Sequence, residues 1–329
     1  MGKYLLFTDT HWDENPANEY RWRAFDNVHR LLDEHADVEG VFHLGDAWDR
    51  SDRFSGEFVN RLIRCLDEVG DRRPLWVLRG NHDLPLRGPA FFEFLNRRPG
   101  RVTYVTAPTA HEDLILLPFS RDPVSEWCDV DFTRYRAALM HVTVTGAISE
   151  SGHGLSGVEP GMLPRELRLY SGDVHNPQTI RNLTYVGCPH PVKFGDRFQP
   201  RMLLIDSDTM GIILEVPVDT VRKLVLDVSG IDDLREIDLR PGDQVRIRTV
   251  VPPGAVEQWA STERGIAEFL RSAGASLAGV EATVETASRG DASGPDMDPE
   301  AILRQFAEED GVSSAMLDLG MEIMREATI

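Results

Sequence analysis

Asp9-Thr10-His11, Gly45-Asp46, Gly80-Asn81-His82-Asp83, a lone His141 and Gly172-Asp173-Val174-His175 are the five pieces on which the reading of this chain turns. Each follows a short apolar run: residues 4–7, 41–44, 75–78, 137–140 and 167–170. Short apolar runs bounded by turn formers read as buried strands. Asp, Asn and His at successive strand ends converge on one edge of a sheet, where open α/β sheets place their sites. Hard oxygen donors mixed with imidazole suit Mn²⁺, Fe²⁺ or Zn²⁺. Any one piece is an ordinary turn, since Asp, Asn and Gly commonly follow strands; five in one chain point to a site.

The segments between the pieces set the fold class. Residues 18–35 carry Trp22, Phe25, Val28, Leu31 and Leu32 at helical spacing, and residues 54–69 do so with Phe58, Leu62 and Leu66. Strand, helix, strand, helix, strand predicts a layered, largely parallel α/β sheet. No G-x-G-x-x-G follows the first strand and no G-x-x-x-x-G-K-[ST] occurs, which excludes dinucleotide and P-loop readings. From residue 101 the strands crowd together, at 102–105, 114–117 and 137–144, with a loop or short helix over 123–136. Residues 145–166, rich in Gly, Ser and Pro, predict a mobile excursion over the site. Strands at 183–187, 202–206 and 211–216 finish this half.

Beyond it, residues 221–228, 244–251 and 277–284 read as strands and 254–272 as a helix with Val256, Trp259, Ile266, Phe269 and Leu270 on its core side. Residues 289–297 read as a linker. Asp298-Pro299 is a helix start, with Asp as N-cap and Pro at the first helical position. Ile302, Leu303 and Phe306 follow, Gly311 breaks the pattern, and Val312, Met316, Leu319 and Ile323 resume it.

Composition bounds the class. The chain has 329 residues, 41% hydrophobic and 27% charged, as expected of a soluble globular protein with room for two domains. Cys65, Cys128 and Cys188 are far apart and form no C-x-x-C, which suggests a reducing compartment and neither a disulfide framework nor a zinc finger. Met1-Gly2-Lys3-Tyr4 enters a strand directly, and no apolar run approaches the ~20 residues of a membrane span, so no signal peptide, no membrane association and a cytoplasmic location are expected. The net charge of −19 argues against a free-standing, high-affinity nucleic-acid binder. Divalent cations at Asp9, Asp46 and Asp173 would invert that sign locally.

The order D-x-H, G-D, G-N-H-D, H, G-x-x-H resembles that of the calcineurin-like metallophosphoesterases. The resemblance implies an α/β, two-sheet αββα sandwich with two divalent metal ions at the sheets' shared edge. Asp9, His11 and His175 would hold the first ion, Asn81, His141 and Asp173 the second, and Asp46 would bridge them. His82 would lie outside the ligand set and protonate the leaving oxygen. Asp83 would orient it, with Asp49 a second possibility, although a plain turn or cap role suits Asp83 equally. The family's final G-H-x-H is here Gly172-Asp173-Val174-His175, and the extra carboxylate favours Mn²⁺ or Mg²⁺ over Zn²⁺.

Tyr185-Val186-Gly187-Cys188-Pro189 followed by Phe194-Gly195-Asp196 resembles SbcD-type DNA nucleases, and the wording S-G-D-V-H-x-P-Q resembles a phage-encoded member, which would act in the host cytoplasm. That resemblance implies a nuclease domain over 1–215, a small β-α-β capping domain over 216–288 that guides DNA, the linker, and a helical segment over 298–329 that docks an SbcC-like coiled-coil ATPase. It further implies a homodimer and a Mn²⁺-dependent exonuclease or endonuclease of DNA recombination and repair. A phosphatase or phosphodiesterase acting on a small molecule or phosphoprotein shares the same core, and a non-catalytic scaffold is the third alternative.

Overall fold

Two-residue alternation along the first strands sets up the layers. In strand β1 (Lys3–Phe7), Tyr4 and Leu6 enter one apolar cluster while Leu5 and Phe7 enter another. Strands β2 (Val38–His43) and β3 (Leu75–Leu78) repeat the split: Phe42 and Leu78 on one side, Val41, Leu75 and Val77 on the other. A strand buried on both faces reads as a continuous apolar run. The computed structural model describes residues 2–49, 53–85, 88–196, 198–284, 303–304, 307 and 314–327.

The first sheet has six strands. With β4 (Val102–Val105), β11 (Arg201–Asp206) and β12 (Ile212–Pro217) its order is β12-β11-β1-β2-β3-β4. β1 to β4 are parallel, and β11 runs antiparallel to β1. The second sheet comprises β5 (Thr109–His111), β6 (Leu114–Leu117), β7 (Ala137–His141), β8 (Arg168–Gly172), β9 (Gln178–Ile180) and β10 (Leu183–Tyr185), in the order β5-β6-β7-β8-β10-β9. The two pack face to face through Tyr4, Leu6, Phe42, Leu78, Leu203 and Ile205 from one and Leu114, Leu116, Leu139 and Tyr170 from the other.

Helices α1 (Arg23–Glu34) and α2 (Gly56–Arg72) cover the outer face of the first sheet with Phe25, Val28, Leu31, Leu62 and Leu66. A 3-10 turn over Pro16–Trp22 precedes α1, so the helical spacing from residue 18 spans two elements. The outer face of the second sheet is covered differently. Its helix α3 (Pro123–Glu126) is one turn long, and Trp127, Val144, Ala147, Leu163 and Leu167 from loops complete the layer. Residues 145–166 fold back on themselves: Leu155 N–H donates to Ala147 (2.7 Å) and Val158 N–H to Thr143 (2.9 Å).

A third sheet, β13-β14-β15, follows: β13 (Lys223–Asp227), β14 (Gln244–Val251) and β15 (Ser276–Val284). A one-turn helix α4 (Ile231–Leu234) joins the first pair and α5 (Val256–Ser272) the second. The chain divides into two compact units, residues 1–249 with 261–282, and residues 250–260 with 283–329. The second unit holds α6 (Ser314–Ala327). The linker over 289–297 and the helix start at Asp298-Pro299 lie outside the described residues.

Candidate metal centre

The loops after β1 and β2 run side by side because the strands are parallel. Asp9 N–H donates to Gly45, His11 N–H to Asp46 and Trp12 N–H to Ala47, each near 3.0 Å. This ladder holds Asp9, His11 and Asp46 at φ of 53°, 44° and 53°. Asp173 has φ 78° after β8. Left-handed backbone at non-glycine residues costs about 1–3 kcal/mol each and gathers at functional sites. Gly45, at φ 103°, cannot be replaced without collision, since a Cβ there would sit 2.2 Å from His141 Nδ1.

Five strand ends bring the seven expected ligands together. Asp9, His11 and His175 offer donor atoms within 4.8 Å of one another, and so do Asp9, Asp46 and His141. His11 Nε2 and His175 Nε2 face each other at 3.2 Å. His141 is turned the same way: its Nδ1 donates to the Leu44 carbonyl (2.6 Å), and its Nε2 lies 3.5 Å from Asp46 Oδ1 and 3.7 Å from Asp173 Oδ1. Asn81 Oδ1 is 2.9 Å from His141 Nε2. The same position is 3.1 Å from Asp46 Oδ2 and 3.2 Å from Asp173 Oδ1, contacts that the amide NH₂ satisfies when the amide is turned over and that a cation would satisfy otherwise. Asp173 Oδ2 accepts from Thr143 Oγ1, and Asp173 N–H donates to both Asp9 oxygens (3.2 Å).

The charges are those of a cation site. Burial, against the pull of His141, pushes Asp9 up to about 7, and Asp46 and Asp173 add to it. Burial alone would depress His141, but Asp46, Asp173 and Asp9 hold it well above the ordinary imidazole range. Carboxylates this buried require positive charge beside them. Acceptors that point at one another, with imidazole Nε2 atoms among them, are the donor set that divalent transition metals take. The residues therefore fit divalent cations: Asp9, His11 and His175 form one cluster and Asp9, Asp46 and His141 another, with Asn81 and Asp173 beside His141.

The two residues expected to orient His82 are placed differently. Asp83 is fully buried and accepts from backbone N–H groups of Gly80 (2.6 Å), Asp46 (3.1 Å) and Trp48 (3.4 Å). It braces the β2 and β3 loops, the turn role open to it from sequence. Asp49 is the acid beside His82, with Oδ1 3.6 Å from His82 Nδ1 and 3.4 Å from His11 Nδ1. His82 stands at the rim, its side chain 43% exposed, and its backbone N–H donates to Asp46 Oδ1 (2.9 Å). A pocket of about 460 Å³ opens alongside, lined by Asp13, Glu14, Asp49, Arg53, Phe54 and Phe58 among others.

Sequence reasoning passed over several residues that shape the site. Arg21 Nη1 donates to the His11 carbonyl (2.5 Å) and lies 3.9 Å from Asp49. Cys188 Sγ and His190 Nε2 reach the carbonyls of Asp9 (2.9 Å) and Thr10 (2.8 Å) and hold the β1 loop from behind. Thr143 and Glu150 also belong here, beside Asp173 and His175; of these five residues only Cys188 lies in a motif quoted from the sequence.

The calcineurin-like phosphoesterase family model matches residues 2–187, which contain every one of these ligands. The chain belongs to the calcineurin-like phosphoesterase family. Its matched residues carry the candidate donor set for divalent metals. Exonuclease subunit 1 of Enterobacteria phage T4 is 25% identical over 167 residues, which is 46% of this chain and 48% of that protein. The chain thus spans about half the length of the curated relative it matches. Among solved structures, a nuclease MPE of Pseudomonas putida is similar at 16% identity, covering 65% of this phosphoesterase and 72% of that chain, with a TM-score of 0.32. Purple acid phosphatase PPD1 of yellow lupin (Lupinus luteus) is similar at 13% identity, covering 66% and 53%, with a TM-score of 0.33. No described helix is long and apolar enough to cross a membrane.

Proposed function

We propose that this phosphoesterase is a metal-dependent DNA nuclease, an SbcD-like subunit that works with an SbcC-like ATPase in recombination and repair. The observation that carries the reading is the convergence of Asp9, His11, Asp46, Asn81, His141, Asp173 and His175 beneath an exposed His82. The likeness to the phage exonuclease subunit favours DNA as substrate. Two divalent ions, Mn²⁺ before Mg²⁺, would neutralise phosphodiester charge and activate water near neutral pH. The protein's own part is to orient and to move a proton. Asp49, with Oδ1 3.6 Å from His82 Nδ1, is the acid placed to orient the ring on closer approach, so that Nε2 can protonate the leaving oxygen. Asp83 keeps the Gly80 turn rigid, so that His82 and Asn81 hold their positions.

The third sheet would be the DNA-guiding cap over residues 216–288, beside a nuclease domain over 1–215. In α6, Met316 (69% exposed) and Leu319 (55%) present apolar surface suited to an ATPase coiled coil. A homodimer belongs to the same proposal. The pocket beside His82, about 460 Å³ and so of small-molecule size, supports a second reading, a phosphatase or phosphodiesterase for a small molecule. The deciding assay incubates the protein and Mn²⁺ with labelled linear duplex and single-stranded DNA, bis-p-nitrophenyl phosphate and p-nitrophenyl phosphate, with a chelator control. Metal-dependent DNA degradation is expected. Turnover of the small esters with intact DNA would replace the nuclease by the second reading.

A further inference from the structure

Each histidine ligand offers Nε2 to the centre, and a ligating imidazole is fixed in that role by what its other nitrogen meets. His141 Nδ1 meets the Leu44 carbonyl at 2.6 Å, whereas His11 Nδ1 is buried without a hydrogen-bond partner among the described residues, with Asp49 Oδ1 3.4 Å away. His175 Nδ1 is buried and has no hydrogen-bond partner among the described residues. The acid it faces is Glu150, whose Oε1 lies 3.9 Å away.

Glu150 is an unusual residue for its place. It sits in a Ser/Gly stretch of the loop after β7, yet its side chain is only 9% exposed. A carboxylate so enclosed needs a partner, and Lys193 supplies one at 2.5 Å. Both sides of this pair are held from below. Gln178 of β9 clamps the loop next to Glu150, accepting from Ile148 N–H (2.9 Å) and donating to its carbonyl (2.6 Å). Asp196 Oδ2 accepts from the backbone N–H groups of Val192 and Lys193 (2.8 Å each), which fixes the turn that presents the lysine. The Phe194-Gly195-Asp196 motif thereby acquires a structural purpose, with Gly195 at φ 92° making the turn.

We propose that Glu150, held by Lys193, is a positioning residue that orients the His175 ring for the first metal ion. The proposal rests on the two-metal reading of the site. A contraction of about 1 Å converts the 3.9 Å approach into a hydrogen bond from His175 Nδ1–H. That bond selects the tautomer with Nε2 unprotonated and raises its basicity.

The test is calorimetric titration of the full-length, chelator-stripped protein with Mn²⁺, where the wild type should bind two ions. Glu150→Gln keeps the shape and removes the charge. It should weaken one of the two sites about 10- to 100-fold and leave the other unchanged. Lys193→Ala should weaken the same site by less, and Lys193→Arg should restore it. With Co²⁺ in place of Mn²⁺, the visible bands of one ion should shift in Glu150→Gln, a change that general loosening would not confine to one site. Two wild-type affinities in Glu150→Gln would overturn the proposal, as would wild-type affinities in Lys193→Ala if Glu150→Gln fails to fold. A wild-type protein that binds fewer than two ions would instead strike the two-metal reading itself, and the proposal with it.

Discussion

His82 and Asp173 differ sharply in what their loss should do. His82 points its imidazole outward beside Asp49 and contributes only its backbone N–H to Asp46. His82→Ala should therefore reduce turnover about 100- to 10,000-fold, the usual contribution of a positioned general acid, with both metals retained. Elemental analysis showing a lost ion would contradict that division of labour. Asp173 lies within 3.7 Å of His141 Nε2 and beside the Asn81 amide, so Asp173→Ala should empty the second site and spare the first. Asp173→His should refill it and shift preference toward softer ions. Anomalous diffraction from Mn²⁺-soaked crystals decides the matter; two full peaks in the Ala variant would remove Asp173 from the ligand set. Gly80 is as constrained as any ligand. A Cβ there would fall 2.1 Å from Asp46 Oδ1, so Gly80→Ala should abolish binding of both ions while the fold survives, as chelator-free metal analysis and circular dichroism would report.

Secondary-structure elements vary in how plainly they are written in the chain. The helix over Gly56–Arg72 is signalled by its apolar stripe, while its N-cap comes from the structure: the Ser55 side chain accepts from Phe58 N–H at 3.1 Å. Ser55→Ala should cost about 1 kcal/mol of stability, measurable by urea unfolding with metal held constant. The strands that carry ligands were legible because each is a buried apolar run closed by a short polar motif. The strands at Thr109–His111 and Gln178–Ile180 were not, being three residues long and half-exposed at the sheet's edges. The strand expected over 137–144 ends at His141, opposite Gly172. Val142 and Val144 are as apolar as the strand, but their N–H groups turn to Ser171 Oγ (3.0 Å) and Tyr185 Oη (2.8 Å). Apolar character cannot tell a strand from a buried loop that packs on the far face. Glu150 and Asp83 were opaque for a related reason: what an acid braces is decided by strands distant in sequence.

At the scale of the whole molecule, two buried histidines make the fold sensitive to acid. Burial, with His141 and His11 adding to it, pushes His43 down to about 3, and His190 is depressed in the same sense. An unfolded histidine titrates near ~6.5. Between those values the unfolded chain holds protons that the folded one refuses, so their contribution is complete above about 6.5 and drains away as pH falls toward 3. A His43→Gln protein should lose less stability than wild type between pH 7 and 4.5, read from urea midpoints in chelator; equal losses would exclude His43 as a source. A different consequence follows from the strand order β12-β11-β1-β2. β1 is finished when residue 7 has been made, yet the strand that pairs with its free side, Leu203–Asp206 against Lys3–Leu6, is synthesised only after β2 to β10. Until then β1 is an edge with unpaired backbone groups, the kind of surface that recruits other chains. Closing so long a loop is slow. During translation the nascent protein should therefore pass through a prolonged sticky phase, ending only when β11 slots in. Stalled ribosomes should reveal it as protease-sensitive, chaperone-bound chains truncated at residue 190, giving way to resistant ones at residue 284.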